Sequence, residues 1–246
     1  GLDNAHGDYT IHADPDDWVE PDMLEALYAK ATAEEADMVI CDFYIERNGH
    51  QTYRKQQPTS LDHETVLREL FQQLHGSCCN KLVKRACYNA YGVRFPEDFS
   101  FCEDLYVNAS LLKHKLRVNY LNKAFYHYST NENTNSIVQK YNIEIQKQDF
   151  LLFSSINKLL KSTSVYITAR SHMAYLITIR AFQAKTESSR SFYKKFHRLS
   201  RYINQNKNIS PFLKFILISS SIGTYAISYR LYHLTMNAHR NIKSLY

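Results

Sequence analysis

The run Asp14-Pro15-Asp16-Asp17 concentrates more potential chemistry than any other stretch of the sequence. It follows Tyr9-Thr10-Ile11-His12-Ala13, which alternates and is β-prone, so a strand is expected to run into an acidic loop. In an open α/β sheet, ligands bind at the carboxyl ends of the strands. Pro15 is expected to hold Asp14 extended, and alternate residues of an extended chain face the same way. Asp14 and Asp16 would then offer two carboxylates to one hard cation. Mg²⁺ or Mn²⁺ held by one or two carboxylates keeps coordination positions for substrate phosphates. The same run also reads as an acidic turn that caps the next helix through its dipole.

Three further groups carry potential chemistry. Phe101-Cys102-Glu103-Asp104 stands at an expected helix start, where backbone N–H groups and the helix dipole favour an ionised carboxylate. Such a group can act as general base toward a sugar hydroxyl or simply cap the helix. In Phe125-Tyr126-His127-Tyr128, His127 ends a strand, either as a third metal ligand or as a packed, hydrogen-bonded residue. Asn80-Lys81-Leu82, with Lys84 and Arg85, is suited to neutralising a diphosphate or to lying on a solvated surface. An EF-hand is excluded, because it needs an oxygen ligand where Trp18 stands and Gly where Val19 stands. A phosphotransferase with an aspartyl-phosphate on a post-strand DxD fits poorly, because that family favours Thr or Val in place of Trp18.

The elements that must position these groups follow from periodicity. Leu24, Leu27, Tyr28 and Ala31 recur at helical spacing after Pro21, and Met38-Val39-Ile40-Cys41 with Phe43-Tyr44 reads as a buried strand, which completes a βαβ pattern. Residues 46–60 read as a hairpin or loop. Asp62 is placed to cap a helix carrying Val66, Leu67, Leu70, Phe71 and Leu74. Residues 77–100 read as irregular. A short helix from Glu103 precedes two strand-like runs, 116–121 and 124–128. From about residue 140 helical patterns dominate, over 142–161, 163–184, 188–204 and 211–234. These patterns predict a domain over 1–138 and a basic α-helical region over 139–246.

Charge divides at the same place. The 246 residues carry a net charge of +6. Residues 1–135 hold 13 basic and 21 acidic residues, whereas 136–246 hold 17 and 3. A basic tail faces something anionic. The uncharged stretch 215–229 is expected to be too short to span a bilayer and suited to the interface of an anionic membrane; core helices are the plainer reading. No nucleic-acid motif accompanies the charge. Five cysteines with no CxxC spacing fit a reducing compartment.

Together these residues resemble a family 2 glycosyltransferase of the GT-A fold. The resemblance rests on residues 1–9 with Asp14-Pro15-Asp16-Asp17-Trp18-Val19-Glu20-Pro21, then Ala36-Asp37-Met38-Val39, Asn80-Lys81-Leu82, Phe95-Pro96-Glu97, Glu103-Asp104, and Tyr126-His127-Tyr128 with Ser136. It implies a Rossmann-like mixed sheet followed by a helical region. Asp14 and Asp16 would be the DXD pair, holding Mg²⁺ or Mn²⁺ on the diphosphate of a nucleotide sugar, with UDP expected. Asp17 would shape the sugar pocket, Asp104 would match the catalytic base with Glu103 beside it, and His127 would match a late metal-binding His. The implied reaction is inverting transfer to a saccharide or lipid-linked saccharide, in bacterial surface polysaccharide synthesis at the cytoplasmic face of the membrane. The family's domain normally begins with a nucleotide-holding strand and helix before the block at Gly1, so the chain is expected to be truncated at that end. A non-catalytic membrane-surface helical module with an α/β remnant is the alternative, and the DxD phosphotransferase is a weaker one.

Overall fold

Met38–Phe43 is an unbroken buried run, and such runs form central strands covered on both faces. In the computed structural model, which describes residues 1–130, 141–185 and 187–243, this run lies at the centre of a sheet. The expected boundary at 136–140, and Ser136, lie outside the described residues. The chain divides into two compact units, one of residues 1–136 and 155–165, the other of 137–154 and 166–246.

The first unit contains, in order, β1 (Tyr9–Thr10), β2 (Trp18–Val19), α1 (Met23–Ala33), β3 (Met38–Arg47), β4 (His50–Arg54), α2 (His63–Glu69), β5 (Lys81–Lys84), α3 (Arg85–Ala90), α4 (Glu103–Leu112) and β6 (Val118–Ser129). The strands form a mixed sheet in the order β1-β5-β3-β6-β2, with β4 paired to β3. β3 and β6 are parallel and every other pair is antiparallel. β1 and β3 therefore run in the same direction with β5 inserted between them, as the βαβ pattern expects. The 46–60 hairpin and the Asp62 cap also form, the Asp62 side chain accepting from the Thr65 N–H at 3.0 Å.

Several elements depart from the sequence reading. The face of α1 that packs inward is Met23, Leu27 and Ala31, whereas Leu24 and Tyr28 are exposed. The cause is where the helix is pinned. The Glu20 N–H donates to the Phe125 carbonyl, and Lys123 pairs with Asp22, so Met23 is the first residue turned to the sheet. The stretch read as irregular holds β5 and α3. The charged residue Lys81, which is buried, masks the apolar pattern of β5. The two runs expected near the end of the unit are one strand, β6, with an irregularity. Leu121 lies opposite Cys41, Ala124 opposite Asp42 and Tyr126 opposite Phe43. Extra residues of this kind bend a strand and re-aim its side chains.

At that irregularity sits Asp42, buried in mid-strand. Its carboxylate accepts from the Tyr120 hydroxyl (2.8 and 2.9 Å), the Gln56 N–H (2.5 Å) and the Tyr53 hydroxyl. Burial and this carboxylate push both tyrosine hydroxyls above their ordinary range.

The second unit is helical, with α5 (Ile143–Leu160, its last turns counted with the first unit), α6 (Tyr166–Ala184), α7 (Ser189–Phe196), α8 (Ser200–Gln205), α9 (Pro211–Ser219) and α10 (Tyr225–Lys243). Its core gathers Ile177, Phe182, Phe192, Phe196, Leu217 and Tyr225. A buried ion pair, Arg180 to Asp149 at 2.7 Å, is completed by the Tyr141 hydroxyl at 2.9 Å. The pattern over 188–204 is two helices, α7 and α8, rather than one. Pro211–Thr235, 25 residues and wider than the uncharged stretch 215–229, is by length and composition long and apolar enough to cross a membrane. It is not straight, however. A π-type turn at Ser220–Thr224 contains Gly223 at φ +117°, and α9 and α10 contact each other across it. A side chain at position 223 would be strained in this backbone.

Replacing Asp42 leaves buried donors without an acceptor. Asp42→Ala is expected to lower unfolding free energy by about 3 kcal/mol, read from the urea midpoint with the slope unchanged.

Candidate active site

β1 ends beside a cavity of about 600 Å³ lined by His12, Asp14, Cys79, Phe95, Glu103 and Asp104, among others. The topology explains this company. β5 runs antiparallel to β1, so Cys79, just before β5, reaches the same end of the sheet. α4 presents its first two residues, Glu103 and Asp104, to that end. The residue before them, Cys102, has left-handed backbone (φ +58°), a conformation costing about 1 kcal/mol that turns the chain abruptly into the helix.

The acidic run is a turn and not an extended segment. The Asp17 N–H donates to the Asp14 carbonyl at 3.2 Å, with Pro15 in the position where its fixed φ favours turns. The alternation expected of Asp14 and Asp16 therefore does not hold: Asp14 lines the cavity, whereas Asp16 lies exposed on the turn. Tyr126 of β6 ties the turn down. Its hydroxyl accepts from the Asp14 N–H at 3.0 Å and donates to Asp17 at 2.6 Å. The other oxygen of Asp17 accepts from the Ser129 N–H at 2.7 Å. Both oxygens of Asp17 thus anchor the loop to the sheet.

Asp104 is anchored to Cys78. Its Oδ2 accepts from the Cys78 N–H at 2.7 Å. The loop supplying that N–H is held from beneath by Lys81. The lysine Nζ donates to the carbonyls of His75 (2.8 Å) and Ser77 (2.7 Å) and to Asn80 Oδ1 (2.8 Å). Asn108 of α4 adds bonds to the Gly76 and Ser77 carbonyls. Lys81 is buried, which lowers its pKa, while Asp104 and nearby cysteines act in the opposite sense. The Asn80-Lys81 motif is accordingly a loop clamp and neither of the two roles expected, a diphosphate contact or a solvated surface.

The cavity carboxylates repel one another. Asp14 is raised by burial and then by Asp17, Asp104 and Asp16, with only His12 acting in the opposite sense. Glu103 is likewise raised by burial first, and by Asp104 and Asp14. The helix start was expected to favour ionisation here; for Glu103, burial outweighs it. A set of carboxylates short of positive charge suits a divalent cation.

His127 does not join them. β6 places it opposite Trp18, and its ring is stacked between Trp18 (centroids 3.3 Å) and Tyr44 (4.7 Å). Nδ1 faces Glu46 at 2.7 Å and Nε2 faces Glu20 at 3.1 Å. Both nitrogens are engaged with carboxylates, so the expected metal set of Asp14, Asp16 and His127 is not assembled. Among the described residues, no three His, Cys, Asp or Glu side chains form a metal cluster. Sequence reasoning also missed His12, Arg94 and Cys79 as cavity residues. His12 lies two residues past the end of β1, just before the acidic turn.

A mixed sheet with an acid-lined cavity at the end of β1, in a chain that continues into helices, is a GT-A-like fold. Residues 1–349 of S. aureus TarS superpose with a TM-score of 0.64 at 14% identity, over 95% of this chain and 69% of that one. The same protein in complex with UDP-GlcNAc gives 0.58 at 16% identity, over 95% and 70%. In agreement with the motifs, residues 1–92 match the model for Glycosyl transferase family 2. The putative glycosyltransferase EpsH of Bacillus subtilis is 25% identical over 216 residues, 81% of this chain and 60% of its own length. Glycosyltransferase GlyA of Streptococcus pneumoniae is 25% identical over 230 residues, 83% of this chain and 31% of its own length. The chain therefore spans less than two thirds of the curated relatives it matches.

Asp14 supplies a test of the electrostatics. Because its folded pKa is raised, folding favours the protonated form, and stability is lost as pH rises through that value. Asp14→Asn is therefore expected to melt at a higher temperature than the parent near neutral pH. The difference should vanish at about pH 3, where the carboxyl is protonated in both states.

Proposed function

We propose that this chain carries the metal-binding and acceptor-activating part of an inverting glycosyltransferase that uses a nucleotide sugar, with UDP as the nucleotide. The observation that carries the reading is the meeting of Asp14, Glu103 and Asp104 at one cavity, in a chain that matches the family over residues 1–92. The UDP-GlcNAc complex of the structurally similar TarS supports the choice of donor.

In this reading Asp104 is the general base. The Cys78 N–H holds one of its oxygens, which leaves the other to take a proton from an acceptor hydroxyl. The deprotonated oxygen attacks the anomeric carbon as the bond to the diphosphate breaks, and one displacement inverts that centre. Glu103, beside Asp104 in the cavity, is placed to hydrogen-bond a sugar hydroxyl. Asp14 and Asp16 would hold Mg²⁺ or Mn²⁺, whose chemistry is to neutralise the departing diphosphate. Asp17 acts through the loop it anchors. The acceptor is a saccharide or lipid-linked saccharide, in bacterial surface polysaccharide synthesis at the cytoplasmic face of the membrane.

Sugar transfer and donor affinity, measured on the full-length protein, test this. Asp104→Asn is expected to lower kcat by a factor of about 10²–10⁴ with donor affinity nearly unchanged; loss of donor affinity without loss of kcat would remove Asp104 from the base role. Mn²⁺ with UDP is expected to raise the melting temperature of the parent but not of Asp14→Asn combined with Asp16→Asn. An equal rise in the double variant would place the metal elsewhere.

A further inference from the structure

The helical unit pairs its acids and displays its bases. All three acidic residues of 136–246 are paired inside it: Glu144 with Lys147 at 2.9 Å, Asp149 with Arg180 at 2.7 Å, and Glu187 with Lys195. The region has 17 basic residues against those three, so most of its positive charge has no internal partner. On α7, α8 and the turn between them, Arg190, Lys194, Arg198 and Arg201 recur every three or four residues and are all exposed.

The same unit leaves large apolar side chains in water. Along α10, Ile227 is 72% and Leu234 69% exposed, with Leu231 between them at spacing i, i+4, i+7. At the bend Ile222 is 61% exposed, and on α9 Phe215 is 60% exposed, with Phe212 one turn before it. A soluble helix pair normally turns such residues inward. Here the inward positions are already filled by Ile216, Leu217, Tyr225 and Tyr232, so the exposed stripes are a second apolar face. Lys207 and Arg230 stand exposed along it, with Lys214 part-buried between them in sequence.

An occupant of this face must be both apolar and anionic. The same face of a second copy is apolar but carries the same excess of positive charge. A nucleic acid is anionic but offers nothing that would bury Ile227 and Leu234. We propose that the α9–α10 face seats flat on an anionic lipid bilayer. The six apolar side chains enter the headgroup–acyl boundary, and the flanking lysines and Arg230 meet lipid phosphates. The bend decides between lying on the bilayer and crossing it. A span needs roughly 20 apolar residues in a straight run. Gly223 instead folds α9 back toward α10, and α9 has only nine residues. This inference stands on the helical unit alone and does not depend on the reaction assigned to the cavity.

The test is sedimentation of the full chain with vesicles of phosphatidylcholine containing about 30% phosphatidylglycerol, and with pure phosphatidylcholine. Binding to the anionic vesicles is expected, and should be roughly tenfold weaker on the neutral ones or in about 0.5 M salt, where exposed charges are screened. A variant combining Phe215→Ser, Ile227→Ser and Leu234→Ser should keep its melting temperature, because these side chains are exposed, and bind anionic vesicles at least tenfold less tightly. The proposal is overturned if that variant binds vesicles as the parent does. It is equally overturned if the parent ignores vesicles and is instead a dimer that the variant dissolves, or if it ignores them and retains RNA.

Discussion

Like-charged carboxylates crowded at one end of a sheet are the constraint on which the first unit is built. Asp14, Asp17, Glu103 and Asp104 come from two distant stretches of chain; Asp14 meets repulsion from Asp17 and Asp104, and Glu103 from Asp104 and Asp14. Coulomb repulsion between charges a few ångströms apart amounts to several kcal/mol where water is partly excluded. The arrangement persists because each carboxylate that must be positioned is tied by a neutral donor: Tyr126 and the Ser129 N–H for Asp17, the Cys78 N–H for Asp104. Asp14 is held through its backbone N–H by the same tyrosine, which leaves its carboxylate free to face the cavity.

Those ties explain the irregular parts of the fold. The irregularity in β6 sets which residues of that strand face the acidic turn, and Tyr126 falls just beyond it. Lys81 fixes three oxygens of the 75–80 loop, so the N–H that meets Asp104 is presented by a rigid element rather than a mobile one. Asp42 performs a similar service in β3, gathering Tyr53, Tyr120 and the Gln56 N–H where the ladder is broken. Buried charged groups of this kind are costly to leave unmatched. Their positions mark where the backbone departs from regular pairing.

The helical unit solves a different problem. Its core is closed by aromatic packing around Phe182, Phe192 and Tyr225, and its few acids are consumed in ion pairs. What remains outward is a basic and apolar surface, opposite in character to the acidic cavity of the first unit. One chain thus combines a region that attracts cations with one that attracts anions.

Much of this was legible from residue types and spacing alone. The continuous apolar run 38–41, the Asp62 cap and the helix opening at Glu103 are local signals, and each formed as read. The order of the motifs carried the resemblance to family 2 glycosyltransferases and anticipated that Asp14 and Asp104 line one cavity, because ligands in α/β sheets gather at one end of the strands. Three features needed the tertiary structure. Whether Asp16 faces with Asp14 depended on a turn closed by the Asp17 N–H. Whether His127 binds a metal depended on the register that stacks it between Trp18 and Tyr44. Whether Lys81 meets solvent or clamps a loop depended on the strand it begins being buried on both sides. In each case the deciding contact joins residues far apart in the chain or reverses an expected local conformation, and side-chain periodicity carries no information about either.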